Sequence, residues 1–83
     1  MCKVVIVEDE EMILKGLVYS IPWAEIGCTV VGQGRNGVEG IEQIKLHQPD
    51  IVLVDINMPI LSGTDMLRQT HTDYCYSAII LSG

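Results

Sequence analysis

Three carboxylates and one hydroxyl stand where apolar runs end. Glu8 and Asp9 follow Val4-Val5-Ile6-Val7, Asp55 follows Ile51-Val52-Leu53-Val54, and Ser82 follows Ile79-Ile80-Leu81. If the first and third of these runs are neighbouring strands, their acids meet on one edge of a sheet. Carboxylates that close repel one another, so one keeps its proton unless a cation intervenes. Mg2+ suits such a place, because it takes one or two carboxylates, keeps several waters and accepts phosphate oxygens. A carboxylate beside it can attack phosphorus and form an aspartyl-phosphate, with the metal offsetting charge on the transferring group. Asp55 ends the most apolar run and is the candidate nucleophile.

Each acid also has a plainer reading. A single Asp after a strand commonly serves as a turn or capping residue. In the run Glu8-Asp9-Glu10-Glu11, the last two suit the first turn of a helix, where acids complement the dipole. Ser82 alone carries no information. What the plain readings leave unexplained is the coincidence of phosphate-relevant groups at three strand exits.

The elements that must position these groups are legible from periodicity. Lys3 to Val7 is a strand whose Val4-Val5-Ile6-Val7 has no polar face, Ile51 to Val54 reads as a strand buried on both faces, and Cys28 to Val31 and Ser77 to Leu81 are the second and fourth strands. Leu14, Leu17, Val18 and Ile21 form the apolar stripe of a first helix, stopped by Pro22. Trp23 lies in a loop or short helical turn and packs beneath it. A second helix is expected from Gly37 to His47 with Val38, Ile41 and Ile44 inward. A third is expected from Gly63 or Thr64 to Thr70, with Ser62 as its N-cap. Strands alternating with helices over short connections give a parallel sheet with right-handed crossovers.

Composition narrows the function further. The chain of 83 residues is one domain, with a formal charge of -6 from eleven acidic and five basic residues. That balance argues against this segment gripping a nucleic-acid backbone, which needs clustered Lys and Arg. No run approaches the ~18 to 20 apolar residues that span a bilayer, and no export leader is visible, so a cytoplasmic location is expected. Cys2, Cys28 and Cys75 form neither a CxxC nor a Cys/His metal pattern. Cys28 reads as a small buried hydrophobe, no disulfide framework is expected, and His47 and His71 read as surface residues.

These residues together resemble the receiver domain of two-component response regulators. The resemblance is carried by Val4-Val5-Ile6-Val7-Glu8-Asp9-Glu10, by Pro49-Asp50-Ile51-Val52-Leu53-Val54-Asp55-Ile56-Asn57-Met58-Pro59, by Ser62-Gly63 and by Ile79-Ile80-Leu81-Ser82-Gly83. It implies an α/β, flavodoxin-like (CheY-like) doubly wound fold with strand order 2-1-3-4. One helix would cover one face of the sheet and two the other. It also implies that Asp55 is the phospho-acceptor, that Asp9 touches Mg2+ directly, and that Glu8 acts on the metal largely through water. Asn57 would lend its backbone carbonyl to the metal, and Ser82 would be the switch hydroxyl. The implied phosphoryl donor is a phosphohistidine on a sensor histidine kinase. Ile21-Pro22-Trp23-Ala24-Glu25-Ile26-Gly27 is similar to receivers fused to AraC-type helix-turn-helix output domains, which implies DNA binding elsewhere in a longer protein, and homodimers. Family members continue with a helix, a fifth strand bearing a Lys that pairs with the phosphoryl group, and a last helix. The last lysine here is Lys45, so residues 1–83 are expected to be an incomplete receiver with strand four as an exposed edge.

Two rival functions compete. Gly32-Gln33-Gly34-Arg35-Asn36-Gly37 satisfies GxGxxG between a strand and a helix, the fingerprint of an NAD-binding Rossmann segment through Gly32, Gly34 and Gly37. That fingerprint usually opens the first βαβ unit rather than the second, and it leaves Glu8, Asp9 and Ser82 idle. A receiver-like interaction module without phosphorylation is the other rival, favoured by the missing Lys and opposed by the intact acids.

Overall fold

The apolar runs pair side by side because their backbone N–H and C=O groups need partners in neighbouring strands, and Val4 to Val7 and Val52 to Val54 are buried on both faces. In the computed structural model, which describes residues 1–81, the strands are β1 (Cys2–Val7), β2 (Cys28–Gly34), β3 (Ile51–Asp55) and β4 (Ser77–Leu81). They form one parallel sheet in the order β2-β1-β3-β4. The helices are α1 (Glu11–Tyr19), α2 (Gly37–His47) and α3 (Gly63–Thr70), and a 3-10 turn covers Trp23–Ile26. The strand order and the parallel sense agree with the sequence-based expectation.

Side chains alternating along β1 and β3 divide the interior into two layers. Val5, Val7, Val52 and Val54 face Ile44 of α2 and Met66 of α3. Val4, Ile6 and Leu53 face Leu14 of α1 and Cys28, with Leu17, Val18 and Trp23 packed around them. One helix therefore covers one face and two cover the other. Each fully buried Val or Ile contributes roughly 1.5 to 3 kcal/mol relative to an exposed one.

The ends of the elements follow local chemistry. Asn36 caps α2 by accepting from the Glu39 N–H at 2.9 Å, while Glu39 returns a bond from the Arg35 N–H at 3.0 Å. Ser62 caps α3 by accepting from the Asp65 N–H at 3.2 Å, as expected. At the far end of α2 the Lys3 ammonium donates to the His47 carbonyl at 2.8 Å, a cation on the negative end of the dipole. The Trp23 indole donates to the Leu17 carbonyl at 2.9 Å and closes the base of α1.

Four sequence expectations need correction. Strand β2 does not stop at Val31 but runs to Gly34, because a register shift opposite Val4 and Val5 lets Gly32 and Gly34 continue the pairing with β1. Val38 is 44 % exposed rather than inward. The buried residues of α2 are Gly37, against Leu61, Gly40, against Val7 and Met66, and Ile44, since small residues let the helix approach closely. Helix α1 ends at Tyr19 with Ser20 as its cap, one turn short of Pro22, so Ile21 lies beyond the helix. His47 is half-buried beside Gly32 rather than a free surface residue.

Among the described residues, the outer edge of β4 has no partner strand, and Ile79 and Ile80 are 49 % and 51 % exposed. Such an edge is a template for pairing with another chain. The 83-residue chain is expected to self-associate with rising concentration in analytical ultracentrifugation. Ile80→Lys should shift it towards monomer, and an unchanged sedimentation profile would count against edge pairing.

Candidate functional site

Parallel strands all end on the same side, so residues just past β1 and β3 are carried to one edge of the sheet. Glu8 continues the pairing for one more residue, its N–H donating to the Gly34 carbonyl at 2.9 Å. Val7 pairs with Val54, which sets Glu8 and Asp9 beside Asp55. Carboxylate oxygens of Glu8, Asp9 and Asp55 all lie within 4.8 Å of one another. The acids that the sequence singled out separately are one cluster.

The three differ in surroundings. Glu8 is almost fully buried, at 3 % exposure, whereas Asp9 and Asp55 are half-exposed. One Glu8 oxygen accepts from the Glu10 N–H at 3.0 Å. Oδ1 of Asp55 accepts from the Asn57 N–H at 3.1 Å, which fixes that oxygen and leaves Oδ2 without a hydrogen-bond partner among the described residues. Among the described residues the two ion pairs are Lys15–Glu11 and Arg68–Asp65. Neither reaches the cluster, so no cationic side chain offsets its charge.

The electrostatic consequence falls on Glu8. Burial pushes its carboxyl above the ordinary value of 4.5, and Asp9 and Asp55 push the same way against the opposing Glu10 N–H bond. A folded-state value above the unfolded one means that the folded chain holds this proton more tightly. The associated stability is fully present below the unfolded value and is lost as pH rises through the raised one. In metal-free protein, Glu8→Gln is therefore expected to raise Tm by a few degrees at neutral pH and to leave it unchanged in acid. The same variant should weaken Mg2+ binding. Thermal melts across pH, with and without Mg2+, check both signs.

The donor set fits a hard divalent cation: three carboxylates, all oxygen, open to solvent through Asp9 and Asp55. Asn57 lies exposed in the loop after β3, and its N–H holds Asp55 in place. The Ser82 expectation lies outside the described residues.

That loop is shaped by its own backbone. Ile60 has φ 68°, and the Leu61 N–H donates to the Pro59 carbonyl at 2.7 Å, a γ-turn of the uncommon, strained kind. The turn delivers the Leu61 carbonyl to the Gly37 N–H at 3.0 Å. Gly63 then packs on the Asp55 backbone and donates its N–H to Ile56 at 3.0 Å. Sequence reasoning matched Ser62-Gly63 to a motif but did not find this contact. The signal was present, since a glycine at the start of a helix is a poor helix former with another reason to be there.

The glycine fingerprint does not form a dinucleotide cradle. Gly32 and Gly34 sit inside β2, and a side chain at Gly34 would strike the α2 backbone at Gly40, 2.9 Å away. The Gly37 N–H at the start of α2, where a pyrophosphate would bind, is occupied by Leu61. Gly32 and Gly34 serve close packing of α2 on the sheet, and Gly37 its packing on Leu61.

Comparison with known proteins agrees with this geometry. Residues 4–83 match the response regulator receiver domain. The chain belongs to that family. This receiver chain is 43 % identical over 82 residues to an uncharacterized response regulatory protein of Staphylococcus epidermidis, covering 99 % of this chain and 32 % of that protein. It is 42 % identical over 83 residues to the transcriptional regulatory protein HptR of Staphylococcus aureus, again covering 99 % and 32 %. It therefore spans about a third of the length of the curated relatives it matches. Among solved structures, the receiver domain of AraT, a response regulator from Geobacillus stearothermophilus, superposes with a TM-score of 0.91 at 32 % identity. That match covers 99 % of this chain and 64 % of the other. The response regulator domain of Thermotoga maritima CheB gives a TM-score of 0.81 at 29 % identity, covering 99 % and 60 %. No helix among the described residues is long and apolar enough to cross a membrane.

Proposed function

We propose that Asp55 is the phospho-acceptor of this receiver, loaded from a phosphohistidine on a sensor histidine kinase. The observation that carries the reading is the convergence of Glu8, Asp9 and Asp55 oxygens within 4.8 Å at neighbouring strand exits. Oδ2 of Asp55 attacks phosphorus, the P–N bond to the donor imidazole breaks, and the imidazole leaves with the bonding pair. The Asn57 N–H holds Oδ1, so the attacking oxygen is oriented before the donor arrives. Glu8, Asp9, Asp55 and the Asn57 carbonyl would hold Mg2+, which supplies charge compensation for the carboxylates and the incoming phosphoryl oxygens. Once it has given up its proton to the bound cation's field, buried Glu8 would place a negative charge behind Asp9 and Asp55.

Ser82 would present its hydroxyl to the phosphoryl group. A phosphorylated side chain adds about -1.5 to -2 charges, enough to bias a two-state surface read by a partner. The partner we propose is an output domain that binds DNA, of helix-turn-helix type, in a longer protein acting in the cytoplasm, in some states as a homodimer. The similarity to HptR, which is a transcriptional regulatory protein, supports that reading.

The test uses a small phosphodonor, phosphoramidate, with and without Mg2+. The expected result is one phosphoryl group per chain, labile to hydroxylamine, on the peptide containing Asp55, and absent with a chelator. Label on another residue, or labelling indifferent to the chelator, would overturn the proposal. A separate Mg2+ titration distinguishes failure to bind metal from failure to transfer.

A further inference from the structure

Two cysteines open the two neighbouring strands. Cys2 is the first residue of β1, Cys28 the first of β2, and they are direct partners in the parallel pairing. Both lie on the same face of the sheet. Cys28, 7 % exposed, belongs to the layer with Val4, Ile6, Leu14 and Leu53, and Cys2 packs against that layer. Both thiols are free. The register at this point is fixed by the Cys2 N–H, which donates to the Gly27 carbonyl at 2.9 Å, next to a left-handed Gly27 with φ 77°. Adjacent strands lie about 4.7 to 4.9 Å apart, inside the roughly 4.4 to 6.8 Å between α-carbons that a disulfide spans.

We infer that Cys2 and Cys28 are a cross-strand thiol pair that closes to a disulfide under oxidant, a modification site that staples β1 to β2. Nothing in the phosphoryl-transfer reading uses either residue. With oxidised glutathione as the oxidant, one cysteine thiolate attacks the small disulfide, forming a mixed disulfide and releasing one glutathione thiolate, which takes up the proton. The second cysteine attacks the protein sulfur of that mixed disulfide and releases the second glutathione. The two cysteines lose two electrons and two protons in all, and the oxidant gains them as two thiols. Closure costs the weak bond from the Cys28 thiol to the Ile26 carbonyl, at 3.7 Å.

The rate has a direction. Burial raises the Cys2 thiol, the Cys28 thiol and Asp50 raise it further, and the amino terminus opposes them. At neutral pH the Cys2 thiol is therefore mostly protonated, so its attack as a thiolate is slow and quickens as pH rises. The bond would enclose α1 and the 3-10 turn in a covalent loop, which restricts the unfolded chain.

The experiment treats the full chain carrying Cys75→Ser with oxidised glutathione, followed by peptide mapping without reductant and by thermal melting. Removing Cys75, which is exposed, eliminates cross-linking between chains through that thiol. The expected result is loss of both remaining thiols, a linked pair of peptides containing Cys2 and Cys28, and a Tm higher by about 5 to 10 °C. Dithiothreitol should reverse the shift, and adding Cys28→Ala should abolish it. A stable glutathione adduct on Cys2 that never resolves, or a linked pair with no gain in Tm, would overturn the inference.

Discussion

Asp55→Asn is expected to reduce phosphoryl incorporation from phosphoramidate at least about 100-fold, to background. The amide cannot ionise and offers no comparable nucleophile, and losing the attacking group removes the step rather than slowing an accessory to it. The fold should survive, because Asp55 is half-exposed and its side-chain hydrogen bond among the described residues, from the Asn57 N–H to Oδ1, is one that an Asn side-chain oxygen also accepts. Replacing one of three clustered acids also relieves repulsion, so the variant's Tm without metal should equal or exceed that of the parent. Asp9→Asn is the companion measurement. It leaves the nucleophile in place, so its loss of labelling should track a fall in Mg2+ affinity of roughly ten-fold or more and be recovered in part at high Mg2+. Labelling of the Asp55→Asn chain at the parent's rate would mean that another residue accepts the group.

Gly63→Ala is expected to cause the largest loss of stability of any single methyl added near the site, about 3 kcal/mol or more. A β-carbon there would overlap the Asp55 carbonyl oxygen and meet a Val54 methyl at 2.9 Å. The first obstacle is backbone, which cannot rotate away. The strand end carrying Asp55 or the start of α3 must shift, and either movement disturbs the carboxylate cluster. Gly40→Ala offers the contrast. Its new β-carbon would meet the Met66 sulfur and the Val7 methyls, the nearer methyl at 3.0 Å. The thioether is flexible and can repack, so the cost should be smaller and Mg2+ affinity little changed. Urea denaturation of both variants, paired with Mg2+ titration, checks the ranking. Equal effects of the two would remove the special role assigned to Gly63.

The contrast between these glycines shows where sequence reading reached its limit. Runs such as Val4 to Val7 and Ile51 to Val54 read as buried strands because they are short, rich in β-branched residues and without a polar face. Alternation with helical stripes then dictates a parallel sheet, and a parallel sheet places every strand exit on one edge. Glu8, Asp9 and Asp55 were therefore legible as a cluster before any coordinates, and the receiver motifs agreed.

Other features depend on which segments become neighbours, and local pattern does not carry that information. The extension of β2 through Gly32 and Gly34 arises from the register shift against β1, not from strand propensity, which is low for glycine. Val38 looked inward by spacing, yet the close approach of Gly37 and Gly40 to Leu61 and Val7 rotates the buried face of α2 away from it. The burial that lifts the Glu8 carboxyl above its ordinary value, the Asn57 N–H that fixes one oxygen of Asp55, and the pairing of Cys2 with Cys28 are likewise products of tertiary packing. The sequence alone determined which groups share an edge, since strand direction follows from connectivity. Only the folded chain decided their distances, burial and partners, because those are set by contacts between residues far apart in the chain.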